Sequence, residues 1–419
     1  MRRWIPCRKP VYAGLYGQRP KRFSAVVNDI ERVTVRNGSS GIVTIDLHNI
    51  AKVSSPDPLL VYLPPYSTAF SEKPTQLPRF CHRRPTAVIN YRWAGFAPFE
   101  AGDLPVSDGS GEPGREKNTH LSWPASIHDT TRAYDWIVDN LGPSTYSRRD
   151  IYVYGSYLGA SLATSLAITE THPHSRMGVR GCVAYNGIYN WTMFLPDHSI
   201  NKAPKARSIL EEILARPTDP DFQDLKQHTQ ALFGKPDNLF DPFASSCLFF
   251  HTPGLFVPPS FDKSALAPPT SLLEALDRPA DSTSIITAPL KSPRKSPLRF
   301  PPRISTLKIP EMLLLHSTPP ALPPSLQRRR QRRKKEYIGN HFKAQAEELA
   351  GLARRSIDKI ELKQRFMWDD DFESWQDEAA RRVQVEDVGP NLGDFELGPG
   401  GEEMAAAWLQ DHTRSAKDR

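Results

Sequence analysis

Long apolar runs are missing from this chain: no stretch of 18 residues passes without polar interruption, which excludes a membrane-spanning helix. Cysteine is scarce. Cys7, Cys81, Cys182 and Cys247 stand far apart with no C-x-x-C spacing, which argues against both a zinc site and a disulfide framework. A reducing compartment is the simpler expectation. Glycine falls well short of proline, 24 residues against 40, so part of the chain cannot pack as helix or sheet. Hydrophobic residues nevertheless make up 39 % of 419 positions. That is ample for a large core and excludes disorder of the whole chain.

Acidic residues are absent before Asp29, where the chain carries Arg2, Arg3, Arg8, Lys9, Arg19, Lys21 and Arg22. A second basic tract, residues 328–335, is interrupted only by Gln331. Lys and Arg number 54 against 47 Asp and Glu, a net charge of +7. Without the two tracts the remainder is slightly acidic, so the charge does not imply a nucleic-acid surface. The first tract has the composition of a mitochondrial presequence, and Arg22-Phe23-Ser24 resembles the site at which such segments are cut. Pro6, Pro10 and Pro20 would interrupt its amphipathic helix. Residues 1–28 are therefore either a targeting segment or a solvated basic tail, and the expected location is intracellular, mitochondrial or else cytoplasmic. The second tract closes a Pro-rich, low-complexity insertion over residues 253–337, most of which reads as loop. Such a run can also serve as a nuclear address or a nucleic-acid patch.

The remainder, residues 29–419, has the periodicity of an α/β domain. Two β-rich runs, 32–36 and 42–47, flank the turn Asn37-Gly38-Ser39-Ser40-Gly41 and predict a hairpin. Further strands are expected at 59–63, 86–93, 151–154, 181–185, 312–315 and 382–388. Helices are expected from Ser122-Trp123-Pro124 to Leu141, and over 158–170, 341–360 and 402–414. Strands written as short apolar runs and alternating with helices predict a mostly parallel sheet covered on both faces.

The segment Ile151-Tyr152-Val153-Tyr154-Gly155-Ser156-Tyr157-Leu158-Gly159-Ala160 places glycines two before and two after a central residue, between strand and helix. That is the pattern of a nucleophile elbow. It resembles the α/β-hydrolase fold, and within it the hormone-sensitive-lipase-like group called α/β-hydrolase fold-3. Asn90-Tyr91-Arg92, Trp123-Pro124-Ala125 with Asp129 and Trp136, Asp241-Pro242-Phe243-Ala244-Ser245, and Gly339-Asn340 with Glu347-Glu348 resemble that family's landmarks in order. The resemblance implies a mostly parallel central sheet flanked by helices and a helical cap, here residues 188–250. It also implies carboxylic-ester hydrolysis by an esterase or lipase.

The site residues depart from that family. Tyr157 stands at the nucleophile position, and Asn340 is the best match to the acid. The loop after the last strand, residues 389–401, holds no histidine, although Asp394-Phe395 stands where a histidine–phenylalanine pair is usual. Leu63-Pro64-Pro65-Tyr66 replaces the glycine-rich oxyanion segment, and two prolines remove two donors. The elbow residues Gly155, Ser156, Tyr157, Leu158 and Gly159 thus carry a degenerate site, with Ser156 expected to point away. Ser161 is expected to bond back to its own helix. Tyr189, Trp191, Phe194, Phe233, Phe240, Phe249 and Phe250 read either as the cap's own core or as an apolar pocket. No cofactor and no metal is called for. An apolar small molecule or a protein is the expected partner of a pseudoenzyme; an esterase acting on an apolar acyl ester is the alternative.

Overall fold

The computed structural model describes residues 30–38, 41–50, 57–69, 71, 73–93, 122–143, 147–195, 198, 200, 220–251, 298–302, 304–318, 340–365, 377–390 and 395–417. The basic segment 1–28, the tract 328–335 and Asp394 lie outside these residues.

Eight strands form one sheet: β1 (Ile30–Arg36), β2 (Ile42–His48), β3 (Leu59–Leu63), β4 (Thr86–Asn90), β5 (Arg149–Ser156), β6 (Met177–Tyr185), β7 (Glu311–His316) and β8 (Val383–Asp387). Their order across the sheet is β1-β2-β4-β3-β5-β6-β7-β8. β2 runs antiparallel to both β1 and β4, and every pair from β4 to β8 is parallel. The hairpin at the start and the strand positions agree with the sequence periodicity. β7 lies inside the Pro-rich range 253–337, so that range feeds a central strand.

Alternation along the strands sends residues to two cores. Ile151 and Val153 of β5 face one side, with α1 (Ala125–Asn140), α2 (Leu158–Glu170), α3 (Pro220–Phe233) and α4 (Phe342–Ser356). Tyr152 and Tyr154 face the other side, with Trp408 and Leu409 of α5 (Pro399–Lys417). α1 buries Ile127, Ala133, Tyr134 and Ile137, the spacing of an amphipathic helix, and Gly142-Pro143 follows it. α2 is buried from Leu158 to Ile168 and so has no polar stripe; its small residues let it lie close against the sheet. Sequence periodicity did not foresee α3, which belongs to the cap range 188–250. Its apolar residues Phe222, Leu225, Ala231, Leu232 and Phe233 are interrupted by the polar stretch Lys226 to Gln230, which breaks the stripe that would mark a helix.

Candidate functional site

The turn from β5 into α2 holds one of three non-glycine residues with positive φ among the described residues. Tyr157 has φ 52° and ψ −115°, a left-handed conformation that costs a residue with a Cβ about 1–3 kcal/mol. Its N–H donates to the Tyr185 carbonyl at 2.9 Å, which pins the apex to β6. The flanking glycines are needed for contact. A Cβ on Gly155 would stand 2.5 Å from the Gly159 carbonyl oxygen, and one on Gly159 would stand 2.2 Å from the Pro64 carbonyl oxygen. This is the backbone geometry of a nucleophile elbow, set at the carboxyl end of the fifth strand of a sheet ordered 1-2-4-3-5-6-7-8. The fold is that of an α/β-hydrolase.

Similar solved structures include a Pyrobaculum calidifontis esterase, at 18% identity and a TM-score of 0.32, over 52% of this chain and 61% of that one. The chain thus spans about three fifths of that esterase's length. The thermophilic carboxylesterase EstE1, cloned from a metagenomic library, is 13% identical with a TM-score of 0.44, over 91% of this chain and 88% of that one. Carboxyl esterase 2 of the mycorrhizal fungus Tuber melanosporum is 9% identical with a TM-score of 0.44, over 95% and 89%. No protein-family model matches the sequence, and no curated protein does.

At the apex, Tyr157 is 1% exposed. Its ring lies 4.5 Å from that of Phe395, and 6.2 Å from that of Phe342 at the start of α4. Phe395 in turn meets Tyr66 edge-on at 5.6 Å. Aromatic rings from three separate segments therefore fill the space above the elbow. In this fold the backbone N–H after the nucleophile is an oxyanion donor. Here that group, Leu158 N–H, donates to the Pro65 carbonyl at 3.2 Å. The strap is held from below as well: Tyr91 Oη donates to the Pro64 carbonyl at 2.8 Å, and Ser67 Oγ donates to the Tyr91 carbonyl at 2.9 Å. The Pro65 carbonyl thus engages the N–H that follows the apex residue.

Ser156 is fully buried and belongs to the same strand face as Tyr152 and Tyr154. Tyr62 and Tyr154 are buried on that face too, which pushes their ionisation well above the usual phenol value. Ser156 therefore points to the opposite side of the sheet from Tyr157. Ser161 differs from expectation. Its hydroxyl donates to the Ile188 carbonyl across to the segment after β6, whereas Thr164 makes the helical back-bond to the Ala160 carbonyl at 2.9 Å. The segment after β6 supplies the acceptor in place of Ser161's own helix.

Asn340 precedes α4, where its side-chain oxygen accepts from Gln345 Nε2 at 2.8 Å. Gln345 also accepts from the Tyr189 and Asn190 backbone N–H groups at 3.0 and 2.8 Å. Asn340 is thus part of the polar joint between α4 and the segment after β6. The other landmarks also make hydrogen bonds between elements. Asp129 accepts from the Arg92 backbone N–H, Nε and Nη2 at 3.0, 2.8 and 2.7 Å, and from Asn37 Nδ2 at 2.7 Å. Asp241 accepts from Trp123 Nε1 at 2.9 Å, and Ser245 Oγ accepts from the Trp191 N–H at 2.9 Å. The cap aromatics pack on one another: Trp191 lies 4.9 Å from Phe233 and 5.4 Å from Phe194, and Trp93 meets Phe233 at 5.7 Å.

One pair escaped the sequence reading. His316 ends β7 and Asp387 ends β8, in register, with Nδ1 and Oδ1 3.9 Å apart. Thr318 Oγ1 donates to Asp387, as does the Gly389 N–H at 2.9 Å. Burial holds His316 below the ordinary imidazole value, opposed by Asp387, so the ring is neutral near pH 7. By resemblance the acid follows the seventh strand and the histidine the eighth; this chain has the two residue types on the opposite strands. The register of β7 and β8 brings them together, and a single sequence carries no sign of that. Among the described residues no group of three or more His, Cys, Asp or Glu is placed to hold a metal ion, and no helix is long and apolar enough to cross a membrane.

Proposed function

We propose that this chain is an α/β-hydrolase-fold protein that has lost ester hydrolysis and acts by binding a ligand or a protein partner. The observation that carries this reading is the Leu158 N–H donated to the Pro65 carbonyl beside a buried Tyr157. An attacking hydroxyl, an imidazole base and oxyanion donors must converge within hydrogen-bond reach for acyl transfer. A phenol held under Phe395 is a poor nucleophile at neutral pH, and the donor after it is already engaged. Asn340 brings no charge with which to stabilise an imidazolium, and residues 389–401 contain no histidine. The landmarks kept from the family are those that join α1, α4 and the cap to the sheet, so the scaffold persists without the chemistry. The opposing reading is a carboxylesterase or lipase-like hydrolase of esters with apolar acyl groups.

Purified full-length protein assayed on short- and medium-chain p-nitrophenyl esters separates the two. No turnover above a heat-denatured control is expected from the protein, nor from Tyr157→Ser, because the N–H that follows the apex stays engaged by the Pro65 carbonyl. Turnover by the unaltered protein that Tyr157→Phe or Ser156→Ala abolishes would overturn the proposal.

A further inference from the structure

α5 crosses the far side of the sheet from the elbow and closes on His412. The imidazole Nδ1 lies 2.7 Å from the Trp408 carbonyl oxygen, and Nε2 lies 2.6 Å from a carboxylate oxygen of Glu311 on β7. Both partners only accept. A neutral imidazole carries one N–H and would set a nitrogen lone pair against one of these oxygens. With Glu311 ionised, satisfying both contacts requires a proton on each nitrogen, which makes the ring a cation.

The surroundings suit that charge. The Trp408 indole stacks on the imidazole at 3.9 Å and 27° and offers a π face to it. Trp408 itself lies over Gly181 of β6, where a Cβ would come within 2.6 Å of the indole, and meets Tyr152 of β5 edge-on at 6.2 Å. Among the described residues, the charged and titratable groups around this site are Glu311 from β7, Tyr152 from β5 and Asp411 from α5 itself. Arg180, beside Gly181, is held by Asp150 at 2.8 Å. Burial lowers the affinity of His412 for its proton, and the bonds to Glu311 and to the Trp408 carbonyl raise it more. The balance lies above the ordinary value of 6.5.

We propose that protonated His412 is a pH-sensitive latch that holds the last turns of α5 onto the start of β7, and that these turns loosen when the ring loses its proton. A histidine whose folded value is raised stabilises fully below the unfolded value of 6.5 and loses that contribution as pH rises through the folded one. This inference is independent of whether the elbow hydrolyses esters.

The test is performed on the full chain. Histidine resonances are followed by NMR, with His412 assigned from the signal missing in His412→Gln. Backbone hydrogen exchange of α5, corrected for its intrinsic rate, is measured from about pH 6 to about pH 9. His412 is expected to titrate above 6.5 and to titrate lower in Glu311→Gln. Opening of the last turns should grow about tenfold across that titration, the loss of one charge-assisted hydrogen bond. His412→Gln should show the high-pH opening throughout. Titration at or below 6.5, opening that does not change with pH, or a pH dependence that survives in His412→Gln would overturn the proposal.

Discussion

Tyr157 combines two demands that ordinarily conflict. Its backbone is strained at φ 52°, and its ring supplies the buried surface that offsets the strain. Removing the ring while keeping a Cβ retains the cost and loses the gain. Tyr157→Ala is therefore expected to lower unfolding stability by about 3–5 kcal/mol, measured by chemical denaturation, whereas Tyr157→Phe stays within about 1 kcal/mol. A small loss for the alanine variant would mean that the aromatic contacts with Phe342 and Phe395 do not hold the turn. The apex residue and its glycines were legible in the sequence because the elbow is a local pattern. The partner ring, Phe395, was legible only by its place in the chain, since no local rule says which loop will cover a strand end.

At the scale of elements, the Arg92–Asp129 pair joins α1 to the end of β4, and Asn37 brings the end of β1 into the same joint. Asp129 is fully buried and accepts four hydrogen bonds, so it carries its charge into the interior only because donors surround it. Asp129→Ala would leave the largely buried guanidinium facing no carboxylate, and a loss of about 3–5 kcal/mol is expected in equilibrium unfolding. A loss below about 1 kcal/mol would show that α1 docks through its apolar face alone. The sequence marked Asp129 as a landmark without its role, because a role of this kind depends on which strand end the helix passes. The same holds for Ser161, which bonds across to Ile188, and for the facing strand ends His316 and Asp387.

For the whole molecule, stability depends on pH through groups far from the elbow. Glu170, at the end of α2, is half-buried beside Asp135 of α1; burial and then that second carboxylate push its carboxyl up to about 7. The folded state keeps a proton that the unfolded chain releases near 4.5. Its contribution is therefore full below that pH and is lost as pH rises through about 7. Glu170→Gln should raise the melting temperature near pH 8 and leave it nearly unchanged near pH 5, a gain of about 1 kcal/mol after solvent screening. An equal change at both pH values would place the effect in packing and not in charge. His412 acts in the same direction, so the fold is expected to weaken on the alkaline side.

Period and spacing in the residues were sufficient for the hairpin, the parallel strands, the principal helices and the elbow, because each is a pattern of neighbours along the chain. Residue identity alone was also sufficient to show a tyrosine where a serine is expected and a final loop without histidine. Tertiary structure decided what these residues touch: the Pro65 carbonyl on the Leu158 N–H, Phe395 over Tyr157, Ser156 turned to the far side of the sheet, and a histidine held between two acceptors on α5 and β7. Those contacts join segments distant in sequence, and they exist only once the order of eight strands has set which ends lie side by side.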